Sequence, residues 1–135
     1  MDHAQSIVKH SPASKSLFED SSRQYYWAHQ RGLDSEKKVQ EYYQARGFKL
    51  LKHRLKTPFA EVDLLLQSKN GDVVLVEVKS ANVEDFQIFR ITPKQKKRLE
   101  RALIFLSEYL DCPVGLNWAF VNKFGEVTVV ENVYG

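Results

Sequence analysis

The stretch AEVDLLLQSKNGDVVLVEVKS, residues 60–80, decides the fold of this chain. Two apolar runs flank residues 69–72, and the Asn-Gly pair between them predicts a tight turn that joins two antiparallel strands. Asp63 interrupts the first run, and Glu77 and Lys79 interrupt the second. Charged residues inside strands that are otherwise rich in valine and leucine need a physical reason.

The alternation of side chains along the second strand separates its two faces. Val74, Val76 and Val78 fill one face, which is apolar along its full length. The other face is apolar at its start and ends in Glu77 and Lys79. If the turn pairs the strands antiparallel, the beginning of one lies beside the end of the other. We therefore expect to find the Asp63 carboxylate near Glu77 and Lys79.

A pair of carboxylates beside a hydrophobic core indicates a cation site. The two groups repel each other and lose hydration, and a divalent cation removes both penalties. Hard oxygen ligands suit Mg²⁺ or Mn²⁺, which also take oxygens from phosphate. Lys79 can then orient or deprotonate an attacking water. The alternative is an exposed edge strand whose E-x-K motif forms ordinary cross-strand pairs, but Asp63 and the buried valines favour the site.

Length, composition and charge place the chain among ordinary globular proteins. Its 135 residues suit one domain, and 43% of them are hydrophobic and 27% charged. A single cysteine excludes an internal disulfide, and no segment resembles a signal peptide or a membrane span. We therefore expect a cytoplasmic protein with no membrane partner. The net charge of +3 permits nucleic acid as a partner but does not require it.

The remaining elements follow from caps and hydrophobic periodicity. Residues 1–31 are predicted to be a flexible or docking arm, and residues 32–135 an α/β domain. Its elements are a helix from Asp34 or Ser35 to about Arg46, strands over 48–56, 60–68 and 72–80, a helix from Pro93 to about Cys112, and strands over 114–122 and 126–133. The predicted order is α-β-β-β-α-β-β.

The acidic residues and the lysine resemble the PD-(D/E)XK nuclease pattern, with Asp63 as its aspartate and residues 77–79 as its E-x-K. More closely, the chain is similar to the YraN-like family of small bacterial proteins, which is related to archaeal Holliday-junction resolvases. The family's run GEIDLI matches AEVDLL at residues 60–65, and its VEVK stands unaltered at the end of the second strand. The resemblance extends to GLDSEKKVQEYYQARGFKLL, residues 32–51, and to ITPKQKKRLERAL, residues 91–103.

The resemblance implies a restriction-endonuclease-like core, a mixed β-sheet flanked by helices. It implies that Asp63, Glu77 and the carbonyl of Val78 hold Mg²⁺ or Mn²⁺, and that Glu36 contributes directly or through water. Lys79 would act on the nucleophile. From the residues alone, a glutamate in the first turn of a helix is also explained by the helix dipole.

Basic residues form the candidate nucleic-acid surface. The two interpretations, a solvated helix face and a surface that follows the phosphate backbone, are equally supported. Arg54 stands where the family usually carries asparagine, and the four histidines show no metal-ligand spacing and receive no chemical role. The predicted nucleic-acid-binding residues are Arg54, Lys56, Lys94, Gln95, Lys97, Arg98 and Arg101.

These observations predict a metal-dependent endonuclease that hydrolyses phosphodiester bonds in DNA, including branched or otherwise structured DNA. One alternative is a nucleic-acid-binding module that keeps the nuclease fold with little or no cleavage. Another is a small structural domain whose acidic pair has no chemical role. A homodimer is compatible with the sequence, and the Tyr25-Tyr26-Trp27 segment is interpreted as a docking segment rather than a base-stacking one.

Overall fold

The computed structural model of the chain describes residues 12–81 and 92–131, with only the backbone described for residues 12–25. The chain divides into two compact units, Met1–Leu33 and Asp34–Gly135. The second unit contains the whole β-sheet and the residues of the candidate site. Residues 1–11 of the predicted arm lie outside the described residues.

The described elements follow the predicted order α-β-β-β-α-β-β. They are α1 (Pro12–Ala45), β1 (Lys49–Lys56), β2 (Glu61–Gln67), β3 (Val73–Lys79), α2 (Pro93–Leu110), β4 (Val114–Val121) and β5 (Val127–Glu131). The strands form one five-stranded sheet in the order β1-β2-β3-β4-β5. All neighbouring strands are antiparallel except β3 and β4, which are parallel. This mixed sheet and its element order confirm the predicted α/β fold class.

The register of the β2–β3 hairpin is the one expected from the turn. Leu64 lies opposite Val76, and the ladder continues to Gln67 opposite Val73. The turn contains Gly71 at φ 92°, a conformation that glycine adopts without a steric penalty. Continuing the same register by one step places Asp63 opposite Glu77, as predicted.

The helix ends that were predicted from sequence are confirmed. Gly47, at φ 89°, ends α1, and the Phe48 N–H donates to the Tyr43 carbonyl in a Schellman arrangement. At the start of α2 the Thr92 hydroxyl accepts from the Gln95 N–H at 3.1 Å, and Pro93 occupies the first helical position.

The predicted start of the first helix is wrong. The sequence placed it at Asp34 or Ser35, whereas α1 begins at Pro12 and includes both residues in its interior. Pro12 suits a helix start because its missing N–H has no partner there in any case. Gly32 weakens the helix by about 1 kcal/mol relative to alanine. Between Pro12 and Gly47 the sequence contains no other glycine or proline that would end the helix.

Two hydrophobic clusters lie on opposite faces of the sheet in the second unit. The α1-side cluster contains Val39, Tyr43, Leu64, Leu66, Val74, Val76, Ala119 and Val121. The α2-side cluster contains Val62, Leu65, Val73, Leu75, Ala102, Leu106, Val114 and Leu116. On β3 the two sets alternate, so the strand is buried on both faces. Glu77 continues the face of Val73 and Leu75 and therefore lies on the α2 side.

Candidate functional site

Two carboxylates lie between β2 and β3 where the backbone ladder stops. The N–H of Asp63 donates to Glu77 Oε2 at 3.0 Å, and the N–H of Val78 donates to Asp63 Oδ2 at 2.8 Å. Each acidic side chain therefore bonds the backbone of the opposite strand. The exchange fixes both carboxylates beside each other, on neighbouring strands.

Burial and mutual repulsion disfavour the charged forms of this pair. Glu77 is 9% exposed. Burial first, and then the charge of Asp63, raise the pKa of Glu77 to about 8. Burial likewise raises the pKa of Asp63, and the charge of Glu36 adds to the increase. The surroundings therefore do not fully compensate the negative charge that the pair carries when both acids are ionised.

The donor set of the pair fits a divalent cation. Asp63 Oδ2 and Glu77 Oε2 accept backbone N–H bonds, which leaves one oxygen of each carboxylate without a hydrogen-bond partner among the described residues. A cation between those oxygens would remove the repulsion that raises both pKa values. Within residues 12–81 and 92–131, no group of three or more His, Cys, Asp or Glu side chains is arranged to hold a metal ion. The fit therefore rests on two carboxylates rather than three.

Lys79 supplies the nearby positive charge. It follows Glu77 by two residues on β3 and so shares its face. Its ammonium lies 5.3 Å from the ring centroid of Trp118, a cation–π distance. Its charge lowers the pKa values of both Asp63 and Glu77, although less than burial raises them. The lysine is therefore close enough to both carboxylates for its charge to act on them.

The third predicted acid, Glu36, comes from α1. The preceding residue, Ser35, is joined to Ser80 by a hydrogen bond of 2.6 Å between their hydroxyl oxygens, which ties this turn of α1 to the end of β3. The side chain of Glu36 is 9% exposed. Its charge acts on both Asp63 and Glu77, so all three acids belong to one electrostatic cluster.

Two residues of β1 hold Glu36, and sequence reasoning missed this arrangement. His53 Nε2 lies 2.7 Å from Glu36 Oε1. Arg54 donates from Nε to Oε1 at 3.0 Å and from Nη2 to Oε2 at 3.2 Å. This two-point contact raises the pKa of Arg54 above its ordinary value. The prediction from sequence left His53 without a role and assigned Arg54 to nucleic-acid binding alone.

An unusual backbone conformation explains why adjacent residues reach one acid. In a regular strand His53 and Arg54 would point to opposite faces. Arg54 has φ 53°, in the left-handed region that non-glycine residues rarely adopt. This local turn of the backbone interrupts the alternation and brings both side chains to Glu36.

The facing strand β2 changes sides at the same level. Val62 packs in the α2-side cluster, whereas Leu64, two residues later, packs in the α1-side cluster. A regular strand would place them on the same face. Asp63 lies between them and, by the β1–β2 register, opposite Arg54. The key aspartate is therefore positioned where the hairpin switches faces.

The other predicted site residues occupy several places. Val78 lies in the ladder opposite Ala119, and its N–H is used by Asp63. Lys56 ends β1 opposite Glu61 and is exposed. The Gln95 backbone N–H completes the cap of α2. The predicted binding residues Lys94, Lys97, Arg98 and Arg101 are exposed on α2, as is Lys96.

Comparison with protein families identifies the chain. The profile described as "Uncharacterised protein family UPF0102" matches residues 35–129. These residues include the complete acidic cluster, the last part of α1 and the whole of α2. The chain belongs to the UPF0102 family. This confirms the YraN-like resemblance, and it places Glu36, Asp63, Glu77 and Lys79 inside the matched region.

Curated UPF0102 relatives match over different lengths. A UPF0102 protein of Ruegeria sp. (strain TM1040) is 38% identical over 113 residues, covering 80% of this chain and 90% of the relative. A UPF0102 protein of Acidiphilium cryptum (strain JF-5) is 39% identical over 75 residues, covering 56% of this chain and 58% of the relative. One of Rhodopseudomonas palustris (strain BisA53) is 33% identical over 72 residues, covering 53% and 55%. The match thus spans about half the length of the latter two relatives.

Two solved structures share partial similarity with the UPF0102 chain. The structure of an EndoMS–dsDNA2 complex aligns with a TM-score of 0.43 and 19% identity, covering 62% of this chain and 34% of that chain. The structure of Pyrococcus furiosus SfsA in complex with Ca²⁺ aligns with a TM-score of 0.32 and 15% identity, covering 77% and 63%. Among the described helices of this UPF0102 chain, none has the length and apolarity needed to cross a membrane.

Proposed function

We propose that this UPF0102 chain is a divalent-metal-dependent endonuclease that hydrolyses phosphodiester bonds in DNA. The observation that supports the proposal is the pair of the half-buried Asp63 and the buried Glu77, each fixed by a backbone N–H of the opposite strand. Burial of two adjacent carboxylates is costly without a cation. Such perturbed acids cluster at functional sites more often than at structural ones.

The residues of the cluster have distinct roles in this proposal. Asp63, Glu77 and the Val78 carbonyl hold Mg²⁺ or Mn²⁺, and Glu36 contributes from α1 directly or through water. The ion supplies Lewis acidity at the scissile phosphate and lowers the pKa of water in its coordination shell. Lys79 orients the attacking water and offsets the negative charge that develops on the phosphoryl group.

The partner in the proposal is DNA, including branched or otherwise structured forms. The exposed cations on α2 support it, because phosphate contacts supply most of the affinity for nucleic acid. A cytoplasmic location belongs to the same proposal, since the single cysteine requires no oxidising compartment. A homodimer would allow cleavage of both strands of a duplex.

A cleavage assay tests the activity directly. The purified chain is incubated with plasmid, hairpin and four-way-junction DNA in Mg²⁺, Mn²⁺ or chelator. We expect metal-dependent nicking that falls at least about 100-fold in Asp63→Asn and Glu77→Gln, which keep the shape of each side chain. Glu61→Gln, at the exposed start of β2, is the matched control and should cut normally. Cutting that persists in chelator, or in both site variants, would contradict the proposal.

A specific observation favours a second candidate, a DNA-binding module that cuts little. Arg54 and His53 already engage Glu36, so the third acid has a guanidinium and an imidazole partner within the protein. The two candidates differ in one measurement. The module binds DNA equally well in chelator and in Mg²⁺ and leaves every substrate intact, whereas the nuclease consumes at least one of them only when the metal is present.

A further inference from the structure

A row of side chains on α2, all exposed except the half-buried Phe105, is not used by the acidic cluster. Lys94, Arg98, Arg101, Phe105 and Tyr109 follow one another at intervals of three or four residues, so they form one stripe along the helix. The first three are cationic and the last two are aromatic. The core residues Leu99, Ala102 and Leu106 lie on the adjacent face of the helix, about a quarter of a turn away, and Phe105 itself packs partly against their cluster.

A third aromatic ring extends this stripe from the β1–β2 turn. The Phe59 ring meets the Phe105 ring edge to face, with centroids 6.2 Å apart. The Phe105 and Tyr109 rings are nearly parallel, at 13° and 6.1 Å between centroids. Tyr109 is 77% exposed and Phe59 is 41% exposed. We call Phe59 together with the five α2 residues the aromatic–basic stripe.

The turn that carries Phe59 is held by local bonds. The Thr57 hydroxyl accepts from the Phe59 N–H at 3.2 Å and from the Ala60 N–H at 3.0 Å. The Thr57 N–H in turn donates to the Ala60 carbonyl at 3.0 Å. An exposed phenylalanine on a closed turn costs little conformational entropy when it contacts a ligand, because its backbone is already ordered.

The charges at the other end of the stripe are available for a ligand. The ion pairs found among residues 12–81 and 92–131 join Glu36 to His53 and Arg54, and none involves the cations of the stripe. Lys94, Arg98 and Arg101 are all exposed. Glu108 lies beside Tyr109 at the aromatic end, so positive charge is concentrated in the first half of α2.

The stripe on α2 lies on the same side of the sheet as Glu77 and Lys79. α2 packs through Ala102 and Leu106 on the cluster that contains Leu75. Glu77 and Lys79 continue the same face of β3. A strand of nucleic acid that follows the outer surface of α2 therefore runs on the same side of the sheet as Glu77 and Lys79.

We infer that the aromatic–basic stripe binds single-stranded nucleic acid, with bases stacked on Phe59 and Tyr109 and phosphates on the cations of α2. The combination of a cationic track and exposed rings is what single-strand binders use. The inference rests on the proposed function for its substrate, and it narrows that substrate to DNA with an unpaired strand.

Ring geometry favours an unpaired strand over a closed duplex. Bases inside a duplex stack on each other and present no open face to a side chain, whereas unpaired bases do. A protein partner is less favoured, because no acidic residue belongs to the stripe and Glu108 lies beside its aromatic end. The phosphates of a nucleic acid would pair directly with the cations of the stripe.

Fluorescence anisotropy in chelator tests the inference. One labelled oligonucleotide is measured as a single strand and as a blunt duplex. We expect tighter binding of the single strand, weakened roughly 5-fold to 100-fold by Tyr109→Ala and unchanged by Tyr109→Phe, which keeps the ring. Phe124→Ala is the matched control, because Phe124 is 76% exposed at the β4–β5 turn, away from the stripe.

The salt dependence reports on the cationic half. For each of Arg98→Gln and Arg101→Gln, the slope of log affinity against log salt should fall by about 0.7, the value expected for one lost phosphate contact on a single strand. The duplex should respond less. If Tyr109→Ala weakens single-strand binding no more than Phe124→Ala, or if the duplex binds as tightly as the single strand, the inference is wrong.

Two further outcomes separate this inference from the proposed cleavage. Asp63→Asn should abolish cutting and leave single-strand binding intact. If the wild-type chain binds single strands through Tyr109 but does not cut them, the inference about the stripe is supported and the proposed nuclease activity is wrong. A chain that dimerises in solution through Tyr109, with single-strand affinity unaffected by Tyr109→Ala, uses the stripe as an interface between copies, which overturns the inference. Sedimentation of the wild type and of Tyr109→Ala distinguishes these results.

Discussion

At the hairpin end of the β2–β3 pair, backbone bonds join the strands in a regular ladder from Gln67 and Val73 to Leu64 and Val76. At the opposite end, the side chains of Asp63 and Glu77 make those bonds in place of the backbone carbonyls. The hairpin end is covered by apolar residues on both faces. The two ends belong to the same strands and lie only a few residues apart.

The difference shows how stability and chemistry share one hairpin. Burial of aliphatic side chains at the hairpin end contributes favourable free energy, at roughly 25 cal/mol per Å² of apolar surface. Burial at the acidic end costs free energy, because it raises the pKa values of Asp63 and Glu77. The regular end therefore fixes the register that holds two mutually repelling groups together. This arrangement is typical of functional sites.

The largest expected effect comes from breaking the apolar end. Leu75 is fully buried at the centre of the sheet, and Leu75→Ala should lower the free energy of unfolding by about 2–5 kcal/mol. Urea denaturation measures the change. Leu51→Ala is the control, because Leu51 is partly exposed on the edge strand β1. Equal costs for the two substitutions would mean that the hairpin end does not carry the stability assigned to it.

At the acidic end, burial of the charged form of Glu77 is expected to lower the free energy of unfolding, whereas burial of Leu75 raises it. The pKa of Glu77 is about 8 in the folded chain, against an ordinary value of 4.5. Between these values the folded state binds more protons than the unfolded state, so stability is highest below the lower value and falls as the pH rises through the upper one. From about pH 5 to about pH 9 we expect a loss of at least about 2 kcal/mol, since each pKa unit is worth about 1.4 kcal/mol.

Glu77→Gln isolates this contribution. The amide oxygen can still accept the Asp63 N–H, while the titrating charge is gone. The variant should be more stable than the wild type at about pH 8 and should show a flatter pH profile in urea denaturation. Glu61→Gln, at the exposed end of the same strand pair, should leave the profile unchanged. A wild-type profile that rises over this range would refute the assignment.

The sequence alone predicted the parts of the site that follow from regular strand geometry. Period-two alternation and a short turn place Asp63, Glu77 and Lys79 together, and the register confirms the approach of the two acids. The engagement of Glu36 by His53 and Arg54 was not predictable in this way. It depends on the positive φ of Arg54, and arginine, unlike glycine or asparagine, gives no signal for that conformation.

The start of α1 escaped prediction for a related reason. Asp34 and Ser35 are good capping residues, and the sequence therefore predicted a helix start where the helix simply continues. The Ser35 side chain serves another purpose, since its hydroxyl pairs with that of Ser80. The contacts among the three rings of the aromatic–basic stripe, Phe59, Phe105 and Tyr109, were also not predicted. These residues come from two segments far apart in the chain.

A divalent ion should reduce the contrast between the two ends. If Asp63 and Glu77 hold Mg²⁺ or Mn²⁺ as proposed, the ion should stabilise the folded chain by about 1 kcal/mol when its concentration is several times Kd. Protons compete for the same oxygens, so the stabilisation should be larger at about pH 8 than at about pH 6. Thermal unfolding with and without the ion measures it. Glu77→Gln should abolish the shift, whereas Glu61→Gln should retain it, and an equal shift in both would place the ion elsewhere.

The smallest expected effect concerns the position where β1 switches faces. Arg54→Ala and Arg54→Gly both remove the contact with Glu36, so they differ mainly in backbone preference. A left-handed conformation costs a residue with a Cβ about 1–2 kcal/mol, and glycine avoids that cost but loses part of the gain through its freer unfolded chain. Arg54→Gly should therefore be the more stable of the two, by up to about 1 kcal/mol in urea denaturation. If Arg54→Ala proved the more stable, the positive φ at position 54 would be caused by the contact of Arg54 with Glu36 and not by the pairing of β1 with β2. In that case the contact of His53 with Glu36 should also be lost once Arg54 is replaced.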